Sequence, residues 1–224
     1  MKIELENLTF GWKDPLFRNT SRVINSGNII WLRGENGSGK CTLLLHRAGM
    51  IPRFKRGKIL EGDVFCAGES LLEHPPKHFF PSLGYISPAL VDLYLMTDNL
   101  LQELLLAAAV LNRKRETVSA FRKAVTEQMG LKDSFWTADF KALDTSERCK
   151  ALLTVYLFQG VRFLFLDEVF TGLSAAGLEA WIDLLACSAG TGAGVVFTSH
   201  REIPGPEIIW TIISPSRSIE EQRL

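Results

Sequence analysis

The stretch NIIWLRGENGSGKC, residues 28–41, decides the fold of this chain. Its first six residues are mostly apolar and predict a buried strand, and a glycine-rich turn then leads into a helix from about Lys40 to Gly49. A glycine-rich turn that joins a strand to a helix and ends in a lysine is typical of a phosphate-binding loop. The glycines let successive backbone N–H groups curl around phosphate oxygens, and the helix N-terminus adds a favourable dipole. The alternative is an ordinary glycine-rich turn, which does not require the lysine.

Length and composition bound the remaining possibilities. The chain has 224 residues with 25 basic and 25 acidic side chains, a zero balance that argues against a protein built to wrap nucleic acid. The first six residues lack the apolar core of a signal peptide, and the cysteines Cys41, Cys66, Cys149 and Cys187 show no C-x-x-C spacing. The longest apolar run, 104–111, is far shorter than the roughly 20 residues that span a bilayer. We therefore expect a cytoplasmic protein with reduced thiols that reaches a membrane only through a partner.

Alternation of strands and helices predicts the fold class. Continuous apolar runs predict buried parallel strands at 28–33, 83–86, 162–166 and 194–198, while the chain up to about Asn25 and the segment 58–67 suggest antiparallel edge strands. Helical periodicity predominates from 98 to about 159, with helices expected near 100–111, 116–129 and 147–158. We therefore predict an α/β P-loop core with a mostly parallel sheet, antiparallel edge strands and an inserted helical subdomain. In this division, residues 1–224 form one domain, with the core at 1–87 and 160–224 and the subdomain at 88–159.

Two carboxylates follow a second apolar strand. Asp167 and Glu168 end the run 163–168, and the carboxyl end of a parallel strand would bring them to face the phosphate loop. Asp167 is expected to hold Mg²⁺ through water, and Glu168 to polarise an attacking water molecule. Together with the glycine-rich loop, this strand predicts a nucleoside triphosphatase fold.

Cys41 breaks the pattern of the phosphate loop. The residue after the lysine should be Ser or Thr, whose hydroxyl binds Mg²⁺, and this hard ion prefers oxygen to sulfur. Cys41 is thus a poor metal ligand. We expect nucleotide binding to survive this substitution better than magnesium-dependent hydrolysis does.

With these motifs the chain resembles the ATP-binding subunits of ABC transporters, over nearly its whole length. The run 164–168 matches the Walker B motif with its catalytic glutamate, and the strand 195–200 ends in the position of the switch histidine, His200. The resemblance implies ATP and Mg²⁺ as ligands, with Glu168, His200 and Lys40 as catalytic residues and Asp167 and Cys41 at the metal. It implies that ATP is bound by Trp12, Gly34, Glu35, Asn36, Gly37, Ser38, Gly39, Lys40, Cys41 and Thr42. The short chain is most similar to export-type subunits, including those of the haem exporter in cytochrome c maturation.

The chain also departs from the family pattern. The signature that closes over the nucleotide of a second subunit is replaced by Leu143, Asp144, Thr145, Ser146 and Glu147. Asp144 with Glu147 three residues later is also a good local helix cap, which explains these residues without a nucleotide. Near a phosphate, the two carboxylates would repel it. Ser87 and Pro88 stand where the family has a glutamine, and Ser174 stands where it has an aspartate.

The resemblance also implies partners: ATP, a second ATP-binding subunit in a homo- or heterodimer, and an integral membrane permease, with no nucleic acid. The chain would then lie on the inner face of the cell membrane, attached through its permease. Two alternatives remain at this point. One is a degenerate nucleotide-binding module with little or no hydrolysis in a heterodimeric transporter. The other is a soluble ABC ATPase that acts on nucleic acid or ribosomes, which the neutral charge disfavours.

Overall fold

The computed structural model describes residues 1–11, 15–47, 58–71, 73–74, 80–129, 131–204, 208–213 and 218–223. Its strands are β1 (Lys2–Gly11), β2 (Pro15–Asn25), β3 (Ile29–Arg33), β4 (Lys58–Cys66), β5 (Glu69–Ser70), β6 (Leu83–Ile86), β7 (Phe163–Asp167), β8 (Gly194–Thr198), β9 (Ile208–Ile213) and β10 (Ser218–Arg223). Its α-helices are α1 (Lys40–Arg47), α2 (Leu100–Val110), α3 (Arg115–Met129), α4 (Asp133–Thr137), α5 (Thr145–Gln159) and α6 (Ala175–Gly190). Short 3-10 helices lie at Phe80–Ser82, Val91–Leu93 and Phe140–Ala142.

The central sheet has the strand order β10-β9-β3-β8-β7-β6, and only β10 pairs antiparallel within it, among the strands described. Burial on both faces explains why β3, β7 and β8 are continuous apolar runs. The four predicted parallel strands are confirmed to within one residue at each end. Strands β9 and β10 and helix α6 were not predicted. The pattern of β10 is weak because Ile219 is its one buried side chain.

A second, antiparallel sheet covers one face of the first. Its order is β2-β1-β4-β5, and it shares a hydrophobic core with helix α1 and the central sheet. Phe10 and Phe17 stack in this core with their ring centroids 5.3 Å apart, and Trp210 of β9 is fully buried in it. The antiparallel strands predicted at the N-terminus and at 58–67 are confirmed, and they form a sheet of their own.

Helix α5 joins the central sheet to the other helices. Cys149, Leu152 and Leu153 of α5 pack with helix α6 against the second face of the sheet. Its opposite side, with Ala151 and Val155, packs against α2, α3 and α4 in a separate hydrophobic cluster. Because both sides are buried, α5 lacks a marked polar face. The helices of the predicted subdomain therefore have their own core, while the boundaries 88 and 159 remain a prediction.

The register of the central sheet brings three strand ends together. Leu32 of β3 and Asp167 of β7 both pair with Thr198 of β8, the strand between them. The phosphate loop follows β3, so it lies beside the polar side chains that end β7 and β8. No helix in the described part of the chain is long and apolar enough to cross a membrane.

Candidate nucleotide-binding site

The phosphate loop has the predicted path between β3 and α1. Lys40 is buried, and its Nζ donates to the backbone oxygens of Gly34 and Glu35, at 2.8 and 3.0 Å. Gly39 has a φ of +101°, and a Cβ at this position would lie 3.0 Å from carbon atoms of Leu16 and Phe17. Both the backbone conformation and the close approach of strand β2 therefore require glycine here. The hydroxyl of Ser38 is buried and has no hydrogen-bond partner among the residues described.

A pocket opens directly over this loop. Glu168 and His200 lie on its wall opposite the start of α1, so the predicted catalytic side chains and the loop meet in one space. The pocket is lined by Leu16, Asn36, Gly37, Gly39, Lys40, Cys41, Thr42, Glu168 and His200. Six of the predicted ATP-binding positions therefore line the same cavity as Glu168 and His200. Trp12, which is also predicted to bind ATP, lies outside the residues that the structure describes.

Asp167 is buried beside the pocket and held by two hydroxyl groups. Tyr85 donates to its Oδ2 at 2.8 Å, and Thr198 donates to its Oδ1 at 2.8 Å. The Thr198 oxygen also accepts a hydrogen bond from the backbone N–H of Glu168 at 3.0 Å. Sequence analysis missed both hydroxyl residues. The available signal was that Tyr85 and Thr198 are polar side chains in or at the end of otherwise apolar strands.

Glu168 has a strained backbone. Its φ of 57° is in the left-handed region, which a glutamate seldom adopts. This turn directs the side chain into the pocket, where Oε1 is 3.3 Å from Nε2 of His200. The contact is too poorly aligned to be a hydrogen bond, and Oε1 is buried with no other partner among the described residues. The side chain as a whole is 22% exposed and lines the pocket, so its carboxylate can accept a hydrogen bond from a bound molecule.

Cys41 lies on the first turn of α1 and faces Asp167. Partial burial of its thiol, followed by the charge of Asp167 and a hydrogen bond to it, raises the pKa of Cys41 to about 12. Burial and the same carboxylate raise the pKa of Tyr85 well above its usual range. At neutral pH both groups are therefore protonated donors to Asp167.

The side chains at this position are poor ligands for Mg²⁺. A carboxylate has about four lone-pair positions, and each oxygen of Asp167 already accepts a hydrogen bond, one from Tyr85 and the other from Thr198. The remaining candidate ligand, Cys41, is a protonated thiol, which is a weak ligand for a hard ion. The predicted pair of metal residues does lie together, but its chemistry does not suit magnesium.

The predicted signature stretch forms a helix cap. Asp144 accepts from the backbone N–H of Glu147 at 2.8 Å, and Glu147 accepts from the backbone N–H of Asp144 at 3.0 Å. Ser146 accepts a hydrogen bond from Nε1 of Trp181 at 3.2 Å, which ties this end of α5 to α6. The predicted capping pattern is confirmed. Both carboxylates are thus bound to their own helix, which begins at Thr145.

The other two departures from the family pattern also have local structural roles. The backbone oxygen of Ser87 accepts from the N–H groups of Leu90 and Val91, both at 3.1 Å, and so starts a tight turn. Ser174 caps helix α6, since its hydroxyl accepts from the N–H of Gly177 at 3.1 Å. Polar residues of the family pattern are thus replaced here by residues that shape the backbone.

Comparison with known proteins agrees with this geometry. The sequence profile described as ABC transporter matches residues 17–171, more than half of the chain. The chain is 28% identical over 203 residues to the cytochrome c biogenesis ATP-binding export protein CcmA of Hahella chejuensis, covering 90% of each chain. It is 26% identical over 203 residues to a manganese transport system ATP-binding protein of Bacillus subtilis, covering 88% of this chain and 76% of that one.

Solved structures show the same fold. A dimeric bacterial ABC transporter cassette superposes with a TM-score of 0.79 at 17% identity, covering 99% of this chain and 98% of that one. The predicted α/β P-loop fold is therefore confirmed. The phosphate loop, the acidic end of β7 and the matched profile agree with one another, so the chain belongs to the ABC transporter family, whose ATP-binding subunits hydrolyse ATP to power transport.

Proposed function

We propose that this chain binds ATP in the pocket over the phosphate loop and hydrolyses it slowly to power export by a membrane partner. The observation that carries the proposal is the meeting of Lys40, Glu168 and His200 in one pocket at the start of α1. Each of these side chains has a chemistry that phosphoryl transfer uses: a cation, an acceptor for the attacking water and a second polar group beside it.

Lys40 and the loop would hold the phosphates. An ammonium group has three N–H donors, and Lys40 uses two of them on backbone oxygens, which leaves one for a phosphate oxygen. The backbone N–H groups of the loop and the buried hydroxyl of Ser38 would add neutral donors. The charge that develops on the γ-phosphate would thus be met by donors that are already in place.

Glu168 would orient the water. Its carboxylate, which lines the pocket, would accept a hydrogen bond from a water molecule, whose oxygen attacks the γ-phosphorus as the bond to the bridging oxygen of ADP breaks. A proton of the water passes to Glu168. His200, 3.3 Å away, would hold the carboxylate in this orientation. Asp167 and Cys41 are poor ligands for the Mg²⁺ that the family resemblance implies, so the charge on the phosphates would be met by Lys40 and the loop.

The proposed assembly follows the family. A second ATP-binding subunit and a membrane permease would complete the transporter, and the chain would lie on the inner face of the membrane through that permease. A solved relative is dimeric, and a relative in sequence is named as an export protein. The helix cap at Asp144 and Glu147 favours a heterodimer, because two carboxylates at the N-terminus of α5 repel a phosphate bound to another copy.

A degenerate module without hydrolysis is the second candidate, favoured by the thiol of Cys41 in place of a hydroxyl. Steady-state ATPase assays on the purified full chain separate the two. We expect a low rate that falls by about a hundredfold or more in Glu168→Gln. The matched control is Glu202→Gln, an exposed glutamate on the loop after His200 that should leave the rate unchanged. Tight ATP binding with no hydrolysis would support the degenerate module instead.

The role as a transporter subunit is tested separately. If a multi-span membrane protein is encoded beside the chain, the two should copurify when they are co-expressed. Its ATPase rate should change when that protein is present. Failure to copurify with any neighbouring membrane protein would contradict the transporter role but not the ATPase mechanism.

A further inference from the structure

Tyr85 is a buried residue that no prediction placed in the site, and it directly contacts the acidic end of β7. Its hydroxyl donates to Asp167 Oδ2 at 2.8 Å, although the two residues are 82 positions apart in the chain. Both side chains are almost fully buried, with exposed fractions of 5% and 7%. Because the bond is shielded from water and its acceptor is charged, it is among the stronger hydrogen bonds that a protein makes.

The sheet fixes this contact. Strands β6 and β7 are parallel neighbours in which Tyr85 pairs with Phe165, so the phenol ring lies on the same face as Asp167, two residues further on. The ring belongs to the core that α1 and the two sheets share. On the other face, Gly84 lets the Tyr156 ring lie against β6, since a Cβ would come within 2.8 Å of it. Tyr85 is therefore packed in a buried core on the face that carries Asp167.

Thr198 completes the arrangement from the other side. It is fully buried and donates to Asp167 Oδ1 at 2.8 Å. One oxygen of the carboxylate is thus directed to β6 and the other to β8. The carboxylate is held by protein donors on the two strands that flank β7.

We propose that Tyr85 is a positioning residue that keeps the Asp167 carboxylate bound to the protein, so that this chain binds nucleotide with little dependence on a divalent cation. The inference rests on the proposed nucleotide binding. Lys40 and the loop N–H groups would supply the attraction for phosphate that a metal otherwise shares. Residues that hydrogen-bond a metal-ligating carboxylate usually support the metal, and altering them lowers the metal affinity by about 10–100-fold. Here the donors from Tyr85 and Thr198 occupy both oxygens of Asp167, so loss of one donor should free an oxygen and raise the metal affinity.

The test separates nucleotide affinity from metal affinity. ADP is titrated calorimetrically into the full chain in EDTA and again in excess Mg²⁺, and Mn²⁺ binding to the ADP complex is measured by electron paramagnetic resonance. For the unmodified chain we expect the two ADP dissociation constants to agree within about threefold. In Tyr85→Phe we expect the Mn²⁺ affinity to rise about tenfold while ADP binding in EDTA stays unchanged.

Two further variants exclude a merely structural effect. Tyr156→Phe removes a neighbouring hydroxyl that donates to the Tyr85 backbone oxygen at 3.4 Å and does not touch Asp167, so it should change neither quantity. Asp167→Asn keeps the shape of the side chain and should leave the ratio of ADP affinities in Mg²⁺ and EDTA unchanged. It serves as the deciding variant if Tyr85→Phe fails to fold.

Each outcome bears on the inference. Failure to bind ADP under either condition overturns the proposed nucleotide binding and this inference with it. ADP binding that is tenfold or more tighter in Mg²⁺ overturns the inference alone. An unchanged Mn²⁺ affinity in Tyr85→Phe, or an equal rise in Tyr156→Phe, overturns the role of Tyr85.

Discussion

The cap at the start of α5 allows the stabilising and the electrostatic roles of two carboxylates to be separated. Asp144→Ala with Glu147→Ala removes both reciprocal hydrogen bonds of the cap. Loss of an N-cap side chain costs about 1 kcal/mol, and loss of the second bond costs about another 1 kcal/mol. Because a domain of this size loses about 2–4 °C in melting temperature per kcal/mol, we expect the double alanine variant to melt about 4–8 °C lower.

The matched variant keeps the cap and removes the charge. Asp144→Ser with Glu147→Gln retains a pattern in which each side chain accepts from the other residue's N–H. Only the attraction between the carboxylates and the helix dipole is lost, about 0.3–1 kcal/mol for each exposed charge. Its melting temperature should therefore fall clearly less than that of the double alanine variant. The measurement is thermal unfolding followed by circular dichroism at 222 nm.

Self-association tests whether the charges of Asp144 and Glu147 oppose dimerisation. In a Glu168→Gln background, which slows turnover, ATP should promote a homodimer more strongly in the Ser/Gln variant than in the parent chain, as measured by sedimentation velocity. Equal melting temperatures for the two double variants would refute the reciprocal cap. Equal dimerisation of the parent and the Ser/Gln variant would refute repulsion by Asp144 and Glu147.

Three other changes have expected outcomes. Trp181→Phe removes the hydrogen bond to Ser146 and leaves a small cavity in the core, so it should lower the free energy of unfolding by about 2–3 kcal/mol in urea titrations. Cys41 should react with iodoacetamide about a thousandfold more slowly at pH 8 than a thiol of pKa 9.0 and faster as the pH rises towards 12, because only the thiolate reacts. Asp167→Asn should accelerate that reaction by lowering the pKa of Cys41, as followed by mass spectrometry. Gly84→Ala should lower the free energy of unfolding by about 1–3 kcal/mol, because its Cβ would overlap the ring packed on β6.

Local patterns in the sequence predicted the parts of the site that depend on neighbouring residues. The phosphate loop requires glycines and a lysine within seven positions, and the cap requires Asp144 and Glu147 three positions apart, so both can be identified without knowledge of the fold. The apolar strands 83–86 and 194–198 could also be predicted from a local pattern, because a strand that is buried on both faces is a continuous run of apolar residues.

The contacts of Asp167 could not be predicted in this way. The bond from Tyr85 depends on β6 lying next to β7, and the bond from Thr198 depends on β8 lying on the other side, neither of which is encoded by spacing along the chain. Strand β10 was not predicted because its sequence is mostly polar. Its strand conformation depends on antiparallel pairing with β9. Adjacency in the sheet, and not local pattern, determines which hydroxyl groups reach the carboxylate.

The departures from the family pattern have a common physical consequence. Cys41 donates to a carboxylate where a hydroxyl would bind metal, Ser174 caps a helix, and Asp144 with Glu147 caps another. Each change replaces an interaction with nucleotide, metal or partner by an interaction within the chain. The new interaction is present even when no ligand is bound. Lys40, Glu168 and His200, by contrast, keep donors or acceptors that the chain does not fully use. Under the proposed function, the chain would hold a nucleotide in its own pocket and leave closure of that pocket to a different subunit.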